Sequence, residues 1–98
     1  MTLLSQELLR TLTDEPQSKD DLKDKLHISE REVRRCITEL RDAGFNVASS
    51  SHGKGYWLGN ESDKECTIKE YRSRAAKLIK TAEALEKGPD LGQMEVSL

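Results

Sequence analysis

The sequence predicts a mainly α-helical protein with one small β-hairpin and a long C-terminal helix, on three observations. Aliphatic residues recur three and four apart in three successive N-terminal segments, as they do on the buried side of helices. A stretch of alternating apolar residues with a Gly-Lys-Gly turn follows, which is typical of paired strands. From residue 67 to about residue 87 the helical spacing returns and continues for nearly three heptads.

The composition indicates one small domain with an appended element. Of the 98 residues, 35% are hydrophobic and 4% are aromatic, so the core must be small and aliphatic. The first ten residues lack the apolar run of a signal peptide, and no segment approaches the roughly 20 apolar residues that span a bilayer. We therefore expect a cytoplasmic protein that does not bind membranes.

The first two predicted helices are short and are separated by a proline. Leu8 and Leu12 lie at helical spacing, and Pro16 disfavours helix at the residue before it. Ser18 suits the N-cap of the second helix, because acidic residues follow it in the first turn. His-Ile-Ser at 27–29 then makes a three-residue break before the third helix.

The third helix has the clearest local signals. Ser29 and Glu32 have the S-x-x-E spacing of a capping box, and Gly44 stands where a helix end favours a left-handed residue. Four residues at helical spacing are expected on its buried side: Val33, Cys36, Ile37 and Leu40. Five residues are expected on its outer side: Arg31, Arg34, Arg35, Thr38 and Arg41.

The hairpin and the C-terminal part complete the prediction. Phe45 and Val47 alternate with polar residues on the first strand, and one of Tyr56 and Trp57 should be buried on the second. The acidic segment 60–66 is expected to be a linker, 67–87 a helix, and 88–98 a flexible tail.

No catalytic or metal-binding pattern stands out. Cys36 is expected in the core and Cys66 as an exposed thiol, with no C-x-x-C pair to hold zinc. His27 and His52 have no matching ligand set, and the chain has no nucleophile elbow or phosphate-binding loop. We expect a protein that is not an enzyme and that needs no metal, cofactor or small-molecule ligand.

The predicted elements come in the order of a winged helix-turn-helix, which is a three-helix core plus wing. That order is a helix, a short helix, a tight break, a basic helix and a hairpin. Three segments carry a closer likeness: "LHIS" at 26–29, "LRDAGFNV" at 40–47 and "GKGYWL" at 53–58. On these, residues 1–59 resemble the N-terminal DNA-binding domain of the biotin operon repressor and related bacterial winged-helix regulators. The ligase domain that follows the wing in that family has no counterpart here, so we expect no ligase activity.

The resemblance implies a sequence-specific regulator of bacterial or phage type that binds double-stranded DNA. Arginine suits base recognition because its planar fork donates two hydrogen bonds to guanine O6 and N7 in the major groove. The net charge of −2 does not exclude DNA, since five basic residues lie within 29–58 and six within 67–87. The candidate DNA contacts are Ser18, Lys19, Ser29, Arg31, Arg34, Arg35, Thr38, His52 and Lys54.

The last helix is expected to make the protein a homodimer. Six residues are spaced as an a/d heptad seam, with Ile79 widening it: Ile68, Tyr71, Ala75, Leu78, Ile79, Ala82 and Leu85. A two-fold axis would place two recognition helices on the half-sites of a palindrome. Two other uses stay open, namely folding back on the first helix or adding phosphate contacts through its basic outer face.

Two alternatives to DNA binding also remain. The third helix could simply be solvated, because Glu30 can pair with Arg34 one turn away. A winged-helix module could instead bind another protein, which the acidic total charge favours, and fold alone does not separate these functions.

Overall fold

The computed structural model describes residues 1–50 and 55–89. Its elements in chain order are α1 (Leu3–Thr11), α2 (Lys19–Leu26), α3 (Glu30–Asp42), β1 (Val47–Ser49), β2 (Tyr56–Leu58) and α4 (Glu61–Lys87). The predicted class, mainly helical with a two-stranded antiparallel hairpin and a long C-terminal helix, is confirmed. The chain divides into two compact units, the first spanning Met1–Thr67 and the second beginning at Ile68.

Side-chain caps define where the first three helices begin. The hydroxyl oxygens of Thr2 and Ser18 accept hydrogen bonds from backbone N–H groups in the first turns of α1 and α2. Ser29 and Glu32 form the predicted capping box at the start of α3. His27 ends α2 in the left-handed conformation, with φ of 54°, and so turns the chain sharply towards α3.

The core of the first unit lies where α1, α2 and α3 meet β1. Each helix contributes its aliphatic side, as the periodicity predicted. The buried cluster comprises Leu8, Leu12, Leu22, Val33, Cys36, Ile37, Leu40 and Val47. Tyr56 packs against this cluster, but both Tyr56 and Trp57 remain partly accessible, so the prediction that one of them is buried is wrong. Cys66 is exposed as expected.

The strand β2 is hydrogen-bonded on both sides. It pairs with β1 in antiparallel register, Ala48 opposite Trp57. On its other side the loop between α1 and α2 forms a bridge: the N–H groups of Gln17 and Tyr56 each donate to the other's carbonyl at 2.9 Å. The Leu58 N–H also donates to the Thr13 carbonyl at 2.7 Å. The hairpin is thus joined to the helices through a loop that had no recognisable strand pattern.

The prediction of a linker at 60–66 is wrong, because α4 already begins at Glu61. Asn60 Oδ1 accepts from the Asp63 N–H at 2.9 Å, and Asp63 Oδ2 accepts from the Asn60 N–H at 3.0 Å. The same Asp63 oxygen accepts from Trp57 Nε1–H at 3.2 Å. These bonds satisfy two backbone N–H groups at the start of the helix, those of Asn60 and Asp63, and tie that start to β2.

Two smaller predictions about the hairpin differ from the structure as well. Phe45 lies before β1 and is 40% exposed, so it is not a half-buried strand residue. Within β1 the neighbours Val47 and Ala48 are both buried. Val47 belongs to the helical core, whereas Ala48 lies against Gly59, which follows β2. The flexible tail was predicted at 88–98. Gly88 and Pro89 are described and follow α4, whereas residues 90–98 lie outside the described part of the chain.

Candidate nucleic-acid interface

The outer side of α3 presents the basic residues that the sequence singled out. Val33, Cys36, Ile37 and Leu40 are at most 3% exposed and fix the inner side of the helix. On the opposite side Arg31, Arg34, Arg35 and Thr38 are exposed. A well-packed helix therefore carries three arginines and a threonine within its first three turns.

Arg31 and Arg35 are the arginines of this surface that remain available for a ligand. Within the described residues neither takes part in an ion pair, and both side chains are exposed. They lie four residues apart, so their side chains project from successive turns of the same side of α3. This spacing allows both to reach into one groove.

Glu30 joins two further candidates, Lys19 and Arg34. Its Oε1 atom lies 2.9 Å from Lys19 Nζ and 2.9 Å from Arg34 Nη2. The hydrogen bond from Lys19, together with its charge, lowers the pKa of the Glu30 carboxyl, and Glu30 raises the pKa of Lys19 in return. All three side chains are accessible, so water screens these ion pairs and their net contribution to stability is small. The pairing of Arg34 with Glu30 was considered from the sequence, but the contact with Lys19 on α2 was not.

The two candidate serines already serve as helix caps. Ser18 Oγ accepts from the Asp21 N–H at 3.0 Å, which leaves its own proton for an outside acceptor. Ser29 Oγ accepts from the Glu32 N–H and donates to Glu32 Oε1, both at 3.2 Å. Ser29 is therefore better suited to starting α3 than to binding a ligand.

Arg41 was expected on the outer side of α3 but is half-buried against the hairpin. Its Nε–H donates to the Val47 carbonyl at 2.8 Å, and Nη2 donates to Ser49 Oγ at 3.1 Å. The guanidinium thus holds β1 to the last turn of α3. Residue type and helical position alone could not distinguish this anchoring arginine from the exposed ones.

A groove of about 270 Å³ separates the start of α2 from the hairpin. Its walls are Ser18, Lys19, Asp20, Ser49, Ser50, Gly55 and Tyr56. At Gly55 the hairpin backbone approaches Gln17 closely, and a Cβ atom there would lie 2.0 Å from the Gln17 carbonyl oxygen. The other two candidates, His52 and Lys54, lie outside the described residues, and so does the turn that carries them.

The second unit presents the predicted apolar seam to solvent. Leu78, Ile79 and Leu85 are 70%, 59% and 79% exposed, and Ile68 and Tyr71 are accessible as well. The Cζ atom of Arg74 lies over the Tyr71 ring, 5.4 Å from the ring centroid. Its Nη2 atom lies 3.9 Å from Glu70 Oε2. The contacts of Arg74 stay within one helix, and the side chains of Leu78, Ile79 and Leu85 remain exposed.

Comparison of the chain with protein-family models, with curated proteins and with solved structures finds no match. Across the described ranges, no helix combines the length and apolar character needed to cross a membrane. In the same ranges no cluster of three or more histidine, cysteine, aspartate or glutamate residues is arranged to hold a metal ion.

Proposed function

We propose that the protein is a sequence-specific, double-stranded DNA-binding transcriptional regulator of bacterial or phage type, acting in the cytoplasm. In this proposal the first unit is a winged helix-turn-helix, α3 enters the major groove and the hairpin is the wing. The observation that supports it most is the outer side of α3, where Arg31 and Arg35 are exposed and, within the described ranges, free of ion pairs. Four buried residues on the inner side of α3 anchor that helix to the core.

The shape and chemistry of this surface suit B-DNA. A major groove about 12 Å wide accommodates one α-helix, and its base edges present a complete donor and acceptor code. Arg31, Arg34 and Arg35 occupy the first half of α3, the part that a helix-turn-helix directs at the bases. Thr38, one turn further on, is suited to a thymine methyl group or to a phosphate.

A second group of residues suits the phosphate backbone. Lys19 at the start of α2 is exposed, and the Ser18 hydroxyl can donate while it caps that helix. Lys54 between two glycines and His52 beside it stand at the turn of the hairpin in the sequence, where a wing meets DNA. Contacts of this kind fix the position of the protein without reading the base sequence.

The proposal includes a homodimer formed through α4. Its support is the exposed seam, which comprises Ile68, Tyr71, Ala75, Leu78, Ile79, Ala82 and Leu85. Exposed leucines and isoleucines at heptad spacing are the usual signature of helices that pair. A two-fold symmetric protein would recognise a palindromic site with two copies of α3.

The test is the binding of the full chain to labelled genomic fragments, measured by fluorescence anisotropy at about 50 and 200 mM salt. We expect affinity to fall steeply with salt, with a log–log slope near −0.9 for each phosphate that is neutralised. Selection from a random DNA library should then enrich a defined motif. A variant with alanine at Arg31, Arg34 and Arg35 should lose binding, whereas Arg10→Ala on α1 should retain it.

A protein-binding module is the alternative, and one contact favours it. Glu30 offsets the charges of Lys19 and Arg34, which reduces the positive potential around α3. Absence of binding at about 50 mM salt, where electrostatic attraction is strong, would overturn the DNA proposal in favour of this alternative.

A further inference from the structure

We infer that two copies of α4 pair antiparallel, in one register that sets Arg72 of each copy beside Glu86 of the other. The inference rests on the proposed homodimer and specifies its geometry. It depends on the second unit alone, in which α4 is helical as far as Lys87.

The sizes of the seam residues favour the antiparallel arrangement. A parallel, in-register pair would stack Ala75 on Ala75 and Ala82 on Ala82, leaving two thin layers beside bulky ones. An antiparallel pair centred between Ala76 and Lys77 joins every alanine of the seam to a large side chain. Its layers are Ile68 with Leu85, Tyr71 with Ala82, and Ala75 with Leu78, each occurring twice by symmetry. Interiors that alternate large and small side chains fill space at the density proteins require.

The charges beside the seam favour the same arrangement. Arg72, Ile79 and Glu86 are seven residues apart and therefore share one flank of the helix. In an antiparallel pair this flank faces its own copy, so Arg72 meets Glu86 across the interface and Ile79 extends the apolar seam. In a parallel pair in register, Arg72 lies beside Thr67, Ile79 beside Arg74 and Glu86 beside Thr81, so no side chain of this flank meets an opposite charge.

The distance between Arg72 and Glu86 can be bridged. In this register their Cα atoms differ in height by five residues, about 7.5 Å along the helix axis. Helical side chains lean towards the N-terminus, so in antiparallel helices these two lean towards each other. In the described part of the chain neither residue has an ion-pair partner, and both are exposed.

The arrangement also fixes the ends of the helix pair. The two copies of Thr67 lie about 29 Å apart along it, at opposite ends. A parallel pair would bring both copies of Thr67 to the same end.

Charge exchange tests the orientation with the full chain and without DNA. Arg72→Glu and Glu86→Arg each place like charges across the antiparallel interface, so each should weaken the homodimer about tenfold in sedimentation equilibrium. An equimolar mixture of the two variants restores opposite charges in both pairs and should form a heterodimer of wild-type affinity. Lys69→Glu and Glu83→Arg, with the same charges and spacing on the outer side, should change neither the homodimers nor their mixture.

The outcomes distinguish the antiparallel register from the two proposals it is separate from, the homodimer and DNA binding. A dimer whose two variants show no recovery on mixing overturns the antiparallel register and leaves the dimer standing. A wild-type chain that is monomeric across micromolar concentrations overturns both. Neither result bears on DNA binding by the first unit, which the anisotropy measurement decides separately.

Discussion

Gly55 lies against the backbone of Gln17, so close that a Cβ atom on Gly55 would stand 2.0 Å from the Gln17 carbonyl oxygen. The close approach allows Tyr56, the next residue, to exchange two hydrogen bonds with Gln17. Gly55 also has φ of +103°, a conformation that side chains disfavour. Two separate physical reasons therefore require glycine at this position.

Gly55→Ala should lower the free energy of unfolding by about 2–4 kcal/mol, because backbone strain and a steric clash add together. Gly44→Ala is the matched control, since Gly44 has φ of +92° but no atom within 4 Å of its Cβ position. The control should lose only about 1–2 kcal/mol. Urea unfolding followed by Trp57 fluorescence measures both, and equal losses would show that the contact with Gln17 is not tight.

Arg41→Met should destabilise the first unit by about 1–2 kcal/mol, because hydrogen bonds from a charged donor to the Val47 carbonyl and Ser49 are lost. Arg34→Met removes an exposed arginine whose ion pair is with Glu30, and its effect should stay below about 0.5 kcal/mol. Thermal unfolding of the two variants compares these effects directly. A neutral Arg41→Met variant would mean that the packing of β1 does not depend on the guanidinium.

Lys19→Ala should return the pKa of the Glu30 carboxyl towards its ordinary value, because Lys19 is the main cause of its lowering. Carbon-detected NMR titration reports this pKa, and Lys23→Ala, which removes the weakest contributor, should change it little. Because the pKa of Glu30 is lowered by folding, the pairing stabilises the folded chain at neutral pH. That contribution is lost as the pH falls through the lowered pKa. An unchanged Glu30 titration in Lys19→Ala would exclude the ion pair in solution.

Arg35→Ala should weaken binding to the selected DNA motif by about 1–3 kcal/mol and relax the preference at one or two base positions. The reason is that a bidentate arginine contact reads a particular base edge. Binding to the motif and to random DNA should be measured side by side. An equal loss on both would assign Arg35 to the phosphate backbone.

Glu30→Gln should increase affinity for random DNA, because it frees the charges of Lys19 and Arg34 and removes a carboxylate from the surface that we propose faces the phosphates. The salt dependence should steepen by about one unit for each additional phosphate engaged. Glu7→Gln on α1 is the control for a change of net charge alone. Weaker binding of Glu30→Gln would instead show that Glu30 holds the two cations in position for DNA.

Much of the first unit could be predicted because its signals are local. The caps at Ser18 and Ser29 and the left-handed Gly44 depend on residues within one turn, and the buried stripe follows from helical spacing. The start of α4 could not be predicted in this way. Its cap at Asn60 and Asp63 is completed by Trp57 of the hairpin, and an acidic segment resembles a linker until that contact is known.

The candidate site was predicted in part for the same reason. The outward position of Arg31, Arg34, Arg35 and Thr38 follows from the pattern of a single helix. The roles of Lys19 and Arg41 depend on contacts with other elements, which residue spacing does not encode. The bridge between Gln17 and Tyr56 joins residues far apart in the chain, and a single pair of backbone bonds leaves no periodic trace.

The position of β2 between β1 and the loop ending at Gln17 bears on aggregation. Strands with unpaired edges are templates onto which strands of other molecules can add. Here the backbone of Tyr56 is occupied by Gln17, and across the hairpin the Arg41 guanidinium covers the Val47 carbonyl on β1. Paired backbone on one edge and a charged side chain on the other oppose strand addition. The protein can therefore expose the apolar seam of α4 for self-association while the edges of its hairpin are protected against the strand addition that builds amyloid-like polymers.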